Sequence, residues 1–286
     1  MFSRLVCAFS FSLQLTPKTG LLVSAGGESI DPTLPDISFM RTNINGLNVP
    51  IIPGSSVKGP VRSFCESFLR GFADPQNKER YSCDLTNQPC GSKKGNKSKH
   101  SYKDSCLACR TFGMTSMASV IRFSDFYPVK DPLEIDERTL RELEKLIVPR
   151  TGIKINRSTG KVEAGALFEY ESAFFPFYGS VVMKNPERWQ VGLFFYALDA
   201  INSGLIRFGR SKSRGLGWVE AKVTKLEYFS PTGKLVFRKD VSDFEEFDWF
   251  EIAAGTCDIT QNIETLKAHT QENFAVQLRE AIGDVE

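Results

Sequence analysis

Between Val57 and Phe72, the apolar residues Val57, Val61, Phe64, Cys65, Phe68, Leu69 and Phe72 recur at steps of three and four. That period commits the stretch to a helix with one face against a core. It follows the apolar run VPII and a Gly/Ser turn, so a loop from Gly54 to Gly59 is expected to enter the helix. Ser55 and Ser56 are the N-cap candidates, and Pro60 falls near the helix start, where proline is tolerated. Such a loop aims free N–H groups and the positive end of the helix dipole at one point, to which Lys58 and Arg62 add two full charges. An anion is expected there. The alternative is a capped helix with two solvated basic residues.

A chain of 286 residues holds one enlarged domain or two modest ones. Its formal net charge is only +2, so any nucleic-acid role must rest on local patches. Two occur: GSKKGNKSKHSYK, with five lysines between Lys93 and Lys103, and RFGRSKSRG, with Arg207, Arg210, Lys212 and Arg214. Acid gathers late, in KDVSDFEEFDWFE and at the C-terminus, as a solvated face or a surface for a basic partner. Near the N-terminus, Leu5, Cys7, Phe9, Phe11, Leu13 and Leu15 alternate with polar residues, which marks a half-buried strand rather than a signal peptide. No run approaches the length of a membrane span. A cytoplasmic protein without a membrane partner is expected. An odd count of seven cysteines without a secretion signal points to a reducing interior and to metal binding rather than pairing.

After the first strand, a long region punctuated by Pro, Gly and Asp leads to the helix, and long loops in compact domains are usually functional or disordered. From Asp74 to Ser105 the lysine-rich composition marks an insertion. ASVIRFSDFYPV reads as a strand, ERTLRELEKLI as a short amphipathic stretch, and GIKINRSTGKVEAGALFEYESAFF as a hairpin turning at Ser158 to Gly160. ERWQVGLFFYALDAINSG reads as a second helix ended by Gly204, and GWVEAKVTKLEYF as a strand. This succession predicts a ferredoxin-like α+β sandwich, with helices on one face of an antiparallel sheet.

Cys83, Cys90, Cys106 and Cys109, the last two as C-x-x-C, suit a closed tetrahedral zinc site. Such a zinc braces the insertion rather than catalysing. His100 lies between the pairs and could replace one cysteine; free thiols in a flexible insertion are the alternative. GRSKSRGLG lacks the order of a phosphate loop of nucleotide hydrolases. Its glycines permit close backbone approach to a ligand and its cations suit a polyanion such as RNA, although a basic surface loop has the same composition. With only His100 and His269, no nucleophile, base and orienter set is visible, and His269 reads as a polar residue of a C-terminal helix. Asp31 and Asp36 are placed to meet a phosphate chain bound at Lys58, or to make turns.

Three stretches in order, IPGSSVKGPVRSF, CRTFG followed by ASVIRFSDFYP, and GRSKSRGLGWVE, resemble the RAMP superfamily of CRISPR-associated proteins. Within it they resemble the Cas-seven family, the repeated backbone subunit of type III effector complexes. The likeness runs from about residue 20 to 225. It implies a single RAMP domain over 1–286 with a modified ferredoxin-like/RNA-recognition palm, a zinc-binding insertion at 74–110, a β-hairpin thumb at 150–180 and an acidic C-terminal extension at 238–286.

The resemblance also implies partners: a CRISPR guide RNA, complementary target RNA, other type III subunits and copies of this chain. Ser55, Ser56, Lys58 and Arg62 would clamp the guide backbone, with Arg210, Lys212 and Arg214 beside it. In LPDISFMRTNINGLNVPIIPG, Asp36 takes the position of an aspartate with which slicing relatives cut target RNA, and Asp31 is the fallback. The cleavage implied is attack of the target's 2′-hydroxyl on the adjacent phosphate, with magnesium or manganese as the expected ion. The competing expectations are a non-cutting scaffold of the same family and a guide-processing endoribonuclease, the latter disfavoured by the lack of paired histidines.

Overall fold

The computed structural model describes residues 4–24, 35–84, 89–90, 102–240 and 243–283. The N-terminal alternation becomes strand β1 (Ala8–Pro17), which buries Phe9, Phe11, Leu13 and Leu15. The irregular region before the helix contains an unexpected hairpin, β2 (Arg41–Ile44) and β3 (Leu47–Pro50). Its turn is Asn45–Gly46, both at positive φ, the Asn-Gly pair that a two-residue hairpin favours. Helix α1 (Gly54–Arg70) follows, then the short helices α2 (Lys78–Tyr81) and α3 (Leu107–Phe112). Strand β4 (Ile121–Phe123) is shorter than the strand expected over ASVIRFSDFYPV. After Phe123 the pairing breaks into single bridges from Phe126 to Ile52 and Tyr127 to Tyr178.

Helix α4 (Glu137–Glu144) precedes the expected hairpin, β5 (Ile147–Ile155) and β6 (Val162–Ala173). Then come β7 (Phe177–Lys184), helix α5 (Arg188–Asn202) and β8 (Val219–Ser230). The chain continues with β9 (Leu235–Arg238), β10 (Phe244–Phe247), β11 (Gly255–Asp258), α6 (Ile263–Gln271) and α7 (Phe274–Ile282).

The main sheet has five strands in the order β11-β8-β1-β7-β4, and every neighbouring pair is antiparallel. β1, α1, β4, β7, α5 and β8 follow the strand and helix succession expected from the sequence. Both long helices cover one face: Phe11 of β1 meets Phe194 and Phe195 of α5 at ring distances of 5.0 and 5.9 Å, and α1 packs on β4 and α5. The apolar stripe of α1 divides its work. Val57, Val61, Cys65 and Leu69 are buried, while Phe68 and Phe72 meet Tyr196 and Phe274 at 4.9 and 5.7 Å. The acidic C-terminal stretch is therefore built into the core through Leu266, Phe274, Leu278 and Ile282. His269 lies in α6 as expected, its ring stacked 4.6 Å from that of Trp249.

The β5–β6 hairpin forms its own two-stranded sheet. Ile153, Ile155, Val162 and Leu167 near its tip are each at least half exposed. At its base, Arg41 makes a fork with Glu144 (2.9 and 3.2 Å) and an ion pair with Glu171 (2.8 Å), whose carboxylate also accepts the Phe39 N–H at 2.6 Å. Burial works against the Arg41 charge, but the hydrogen bonds to Glu144 and Glu171 hold its pKa above the usual arginine value. One guanidinium thus joins the β2–β3 hairpin, α4 and the β5–β6 hairpin. Arg41→Met should cost about 2 kcal/mol, the scale of a hydrogen-bonded charge pair. It should also speed amide exchange at residues 167–172 while β1 stays protected. Unchanged exchange there would show that the hairpin is held by other contacts.

Candidate nucleic-acid interface and metal centre

The start of α1 differs from the expected loop and cap. Residues 54–59 are already helical, Pro53 stands at the N-cap position, and neither Ser55 nor Ser56 makes a side-chain cap bond. The cap comes from far along the chain: Asp125 Oδ1 accepts the Gly54 N–H at 2.8 Å. A Cβ on Gly54 would lie 2.6 Å from the Ser124 carbonyl oxygen, so glycine allows α1 to begin against the end of β4. Pro60 sits within the helix, where its missing N–H leaves the Ser56 carbonyl without its usual donor. A carboxylate therefore already occupies the positive end of the dipole. The anion expected there has to be met one turn further on.

That turn presents Lys58 to a groove of about 510 Å³ lined also by Arg62, Cys83, Cys90, Cys109 and the turn Gly113–Ser119. Burial, and secondarily the neighbouring Arg62, lower the Lys58 pKa, and the amine has no hydrogen-bond or ion-pair partner among the described residues. Arg62 donates from all three guanidinium nitrogens. Its Nε donates to Glu66 Oε1 at 2.8 Å, Nη1 to the Gly113 carbonyl at 3.1 Å, and Nη2 to Cys109 Sγ at 3.7 Å. Burial opposes its charge, yet Glu66 and the Cys109 and Cys83 sulfurs keep its pKa above the ordinary value.

The other flank of α1 faces the basic glycine-rich loop. Pro60, Ser63, Phe64 and Ser67 share a groove of about 490 Å³ with residues 204–207, Lys212 and Ser213. Arg210, Lys212 and Arg214 are exposed, without side-chain partners among the described residues. The close approach made by the loop glycines is to the chain itself rather than to a ligand. At φ +75°, Gly209 leaves only 2.0 Å between an added Cβ and the Leu22 carbonyl, and Arg210 N–H donates to that same oxygen at 2.8 Å. Of the lysine run at 93–103, only Lys103 lies within the described residues, paired with Asp240 at 2.6 Å.

Cys83, Cys90, Cys106 and Cys109 come together with all four sulfurs within 4.8 Å of one another. The Cys83 and Cys109 sulfurs are 3.8 Å apart, close to the edge of about 3.8 Å that a tetrahedron with Zn–S bonds of about 2.3 Å requires. All four are free thiols. The residues fit a structural zinc site. Cys106 Sγ accepts the Cys109 N–H at 3.4 Å and Cys90 Sγ the Cys106 N–H at 3.5 Å, donors suited to thiolates. Hydrogen bonds led by that from Cys106 lower the Cys83 pKa, and hydrogen bonding led by Cys106, with burial, raises that of Cys109. His100, the expected substitute ligand, lies outside the described residues.

This cluster is anchored on both sides. Arg110, within the C-x-x-C helix, donates to the carbonyls of Ser105, Lys103 and Ala281 at 2.7–2.9 Å. Tyr102 joins a buried network with Glu187, Arg238 and Gln190, in which Trp189 Nε1 donates to Glu187 Oε2 at 2.6 Å.

Asp36 is exposed, and its Oδ2 accepts the Glu169 N–H of β6 at 2.8 Å. Ile37 forms a parallel bridge to Tyr170, so the Asp36 segment lies along the base of the hairpin. Asp31 lies outside the described residues. Sequence reasoning passed over Asp125 and Arg41, whose partners are non-local in the chain; no local spacing rule signals either.

The family model of the RAMP superfamily matches residues 14–220, and the chain belongs to that superfamily. No curated protein sequence matches it. Among solved structures it is similar to a chain in a cryo-EM structure of the Type III-B Cmr-beta bound to cognate target RNA. The two are 13% identical, with 74% of this chain and 96% of that one covered and a TM-score of 0.46. No helix among the described residues is long and apolar enough to cross a membrane.

Cysteine thiols bind metal only when deprotonated, so zinc should be retained at neutral pH and released as pH falls. Elemental analysis should find about one zinc per chain. Chelation should lower the thermal midpoint; an unchanged midpoint after complete metal removal would contradict a bracing role.

Proposed function

We propose that this chain is a guide-RNA-binding backbone subunit of a type III RNA-guided effector complex. In this reading the main sheet and its two helices are a modified ferredoxin-like palm, residues 74–110 a zinc-braced insertion, 150–180 a thumb and 238–286 an extension packed on the palm. The observation that carries it is the placement of two basic elements on opposite flanks of α1: Lys58 on one side, and the loop bearing Arg210, Lys212 and Arg214 on the other. A phosphate chain crossing α1 meets an unpartnered, partly desolvated ammonium and then three exposed cations. Single-stranded nucleic acid binds such a track through its backbone, and sequence is left to guide pairing. Membership of the superfamily and the order of the three stretches support the same reading.

The finer proposal is that the Asp36 segment, beside the hairpin, cuts target RNA. The target's 2′-oxygen would form a bond to the adjacent phosphorus as the bond to the 5′-oxygen breaks, leaving a 2′,3′-cyclic phosphate and a 5′-hydroxyl. Asp36 would accept the 2′-hydroxyl proton, and water would protonate the leaving oxygen. Positioning of the attacking oxygen in line supplies much of the acceleration. Among the described residues the cysteines are the only grouping of three or more metal-ligating side chains. Asp36 by itself offers a magnesium or manganese ion one carboxylate. The second reading, a non-cutting scaffold, is favoured by the hydrogen bond from Glu169 N–H, which gives Asp36 a structural use.

In the assembled complex at saturating guide and target, Asp36→Ala should abolish regularly spaced cuts while RNA binding is retained. No cutting by the wild type selects the scaffold, and equal cutting by the variant moves the cleavage to Asp31, tested by its own alanine variant, or to another subunit. Lys58→Ala should lower the slope of log K against log salt by about 0.7, one phosphate on a single strand. An unchanged slope places the backbone elsewhere.

A further inference from the structure

Arg62 and Lys58 are one helical turn apart and line the same groove, yet they have opposite circumstances. Lys58 has no side-chain partner among the described residues, whereas each of the three Arg62 guanidinium nitrogens donates a hydrogen bond. Its three partners are the 8% exposed Glu66, the Gly113 carbonyl just past the C-x-x-C helix, and the sulfur of Cys109. Four thiolates around a divalent ion carry a net charge of about −2. A centre of that charge in the wall of the groove repels a phosphate held at Lys58, unless a cation stands at the sulfurs. Among the described residues Arg62 places its guanidinium against one of them, Cys109 Sγ, at 3.7 Å.

We infer that Arg62 serves the tetrathiolate rather than the RNA, as its positioning and charge-balancing residue, and that through it metal occupancy is coupled to polyanion binding at Lys58. This rests on the reading of the Lys58 groove as an RNA track. The guanidinium fork ties α1 to the turn after α3, so a bound metal fixes the groove wall opposite Lys58. By linkage, RNA strengthens metal retention by the same factor as the metal strengthens RNA binding. Outer partners of metal ligands commonly change affinity by about 10–100-fold, which sets the expected size of the effect. Lysine keeps the charge but not the fork, so it should restore only part.

The test uses the full chain and its Arg62→Gln, Arg62→Lys and Lys58→Ala variants. Metal affinity is read from the sulfur-to-cobalt absorption on Co²⁺ titration and from zinc competition with a chelator. RNA affinity is read on a fixed-length single-stranded oligouridylate across a salt series, with and without zinc. Arg62→Gln should weaken Co²⁺ and Zn²⁺ binding by at least about 10-fold, with Arg62→Lys intermediate and Lys58→Ala unchanged. Arg62→Gln should weaken RNA binding with the salt slope kept, and the deficit should vanish when wild type and variant are compared metal-free. Metal affinity within about twofold of wild type, or a slope lowered as by Lys58→Ala, overturns the inference. If the metal-loaded wild type binds the RNA no better than Lys58→Ala, the RNA track and the coupling both fall. The cobalt titration still decides the role of Arg62. A misfolded glutamine variant is recognised by its circular dichroism, and the lysine variant then carries the comparison.

Discussion

The joint between the start of α1 and the end of β4 fixes where Lys58 and Arg62 stand, the pair on which the proposed RNA track and its link to the cysteine cluster depend. Gly54 lets the helix begin against the Phe123 and Ser124 carbonyls, and Asp125 closes the joint by accepting the Gly54 N–H. From that fixed start, the helical period sets Lys58 and Arg62 on one flank and Pro60, Ser63 and Ser67 on the other. A charged cap of this kind contributes about 1 kcal/mol to stability. Its larger consequence is electrostatic, because it turns the helix terminus from an anion site into an occupied one. In the proposed RNA track the phosphates are therefore met by side-chain cations instead.

Charged side chains act as ties between elements in three further places. Arg41 joins the β2–β3 hairpin and α4 to the base of the β5–β6 hairpin; Arg110 joins the C-x-x-C helix to α7; Arg62 joins α1 to the cysteine cluster. Each uses the several donors of a guanidinium to satisfy carbonyls, carboxylates or sulfur on different elements, which a lysine ammonium does less specifically. Lys58 and the cations of the 210–214 loop, which have no side-chain partner among the described residues, lie along the surface that the proposed RNA path follows.

Elements with a strong local period were legible in the sequence. β1, α1, α5 and β8 each bury the face that their spacing marks, the long hairpin pairs where expected while its apolar residues near the tip stay exposed, and C-x-x-C with an earlier cysteine pair was enough to foresee the cluster. What was misread depends on contacts across the chain. Ser55 and Ser56 have the composition of a cap, but Asp125 outcompetes them from the end of β4, and the helix begins before them. β4 is short because its ladder with β7 covers only Ile121 to Phe123; Ser124 still bonds Ser180 of β7, and Asp125 then turns to cap α1. The β2–β3 hairpin did carry a local signal, Asn45–Gly46, which was lost among the neighbouring prolines and glycines. The separate fates of Lys58 and Arg62 had no local signal, since only the fold brings Cys109 and Gly113 to one and leaves the other bare.

The most direct measurement of the central claim is photocrosslinking of bound single-stranded RNA to the chain, with the attached peptides located by mass spectrometry. The account predicts attachment along α1 at residues 55–63 and in the loop at 207–214, competed by high salt. Attachment confined to the open face of the sheet, around Tyr127 and Tyr178, would contradict it and move the RNA to the opposite side of the fold.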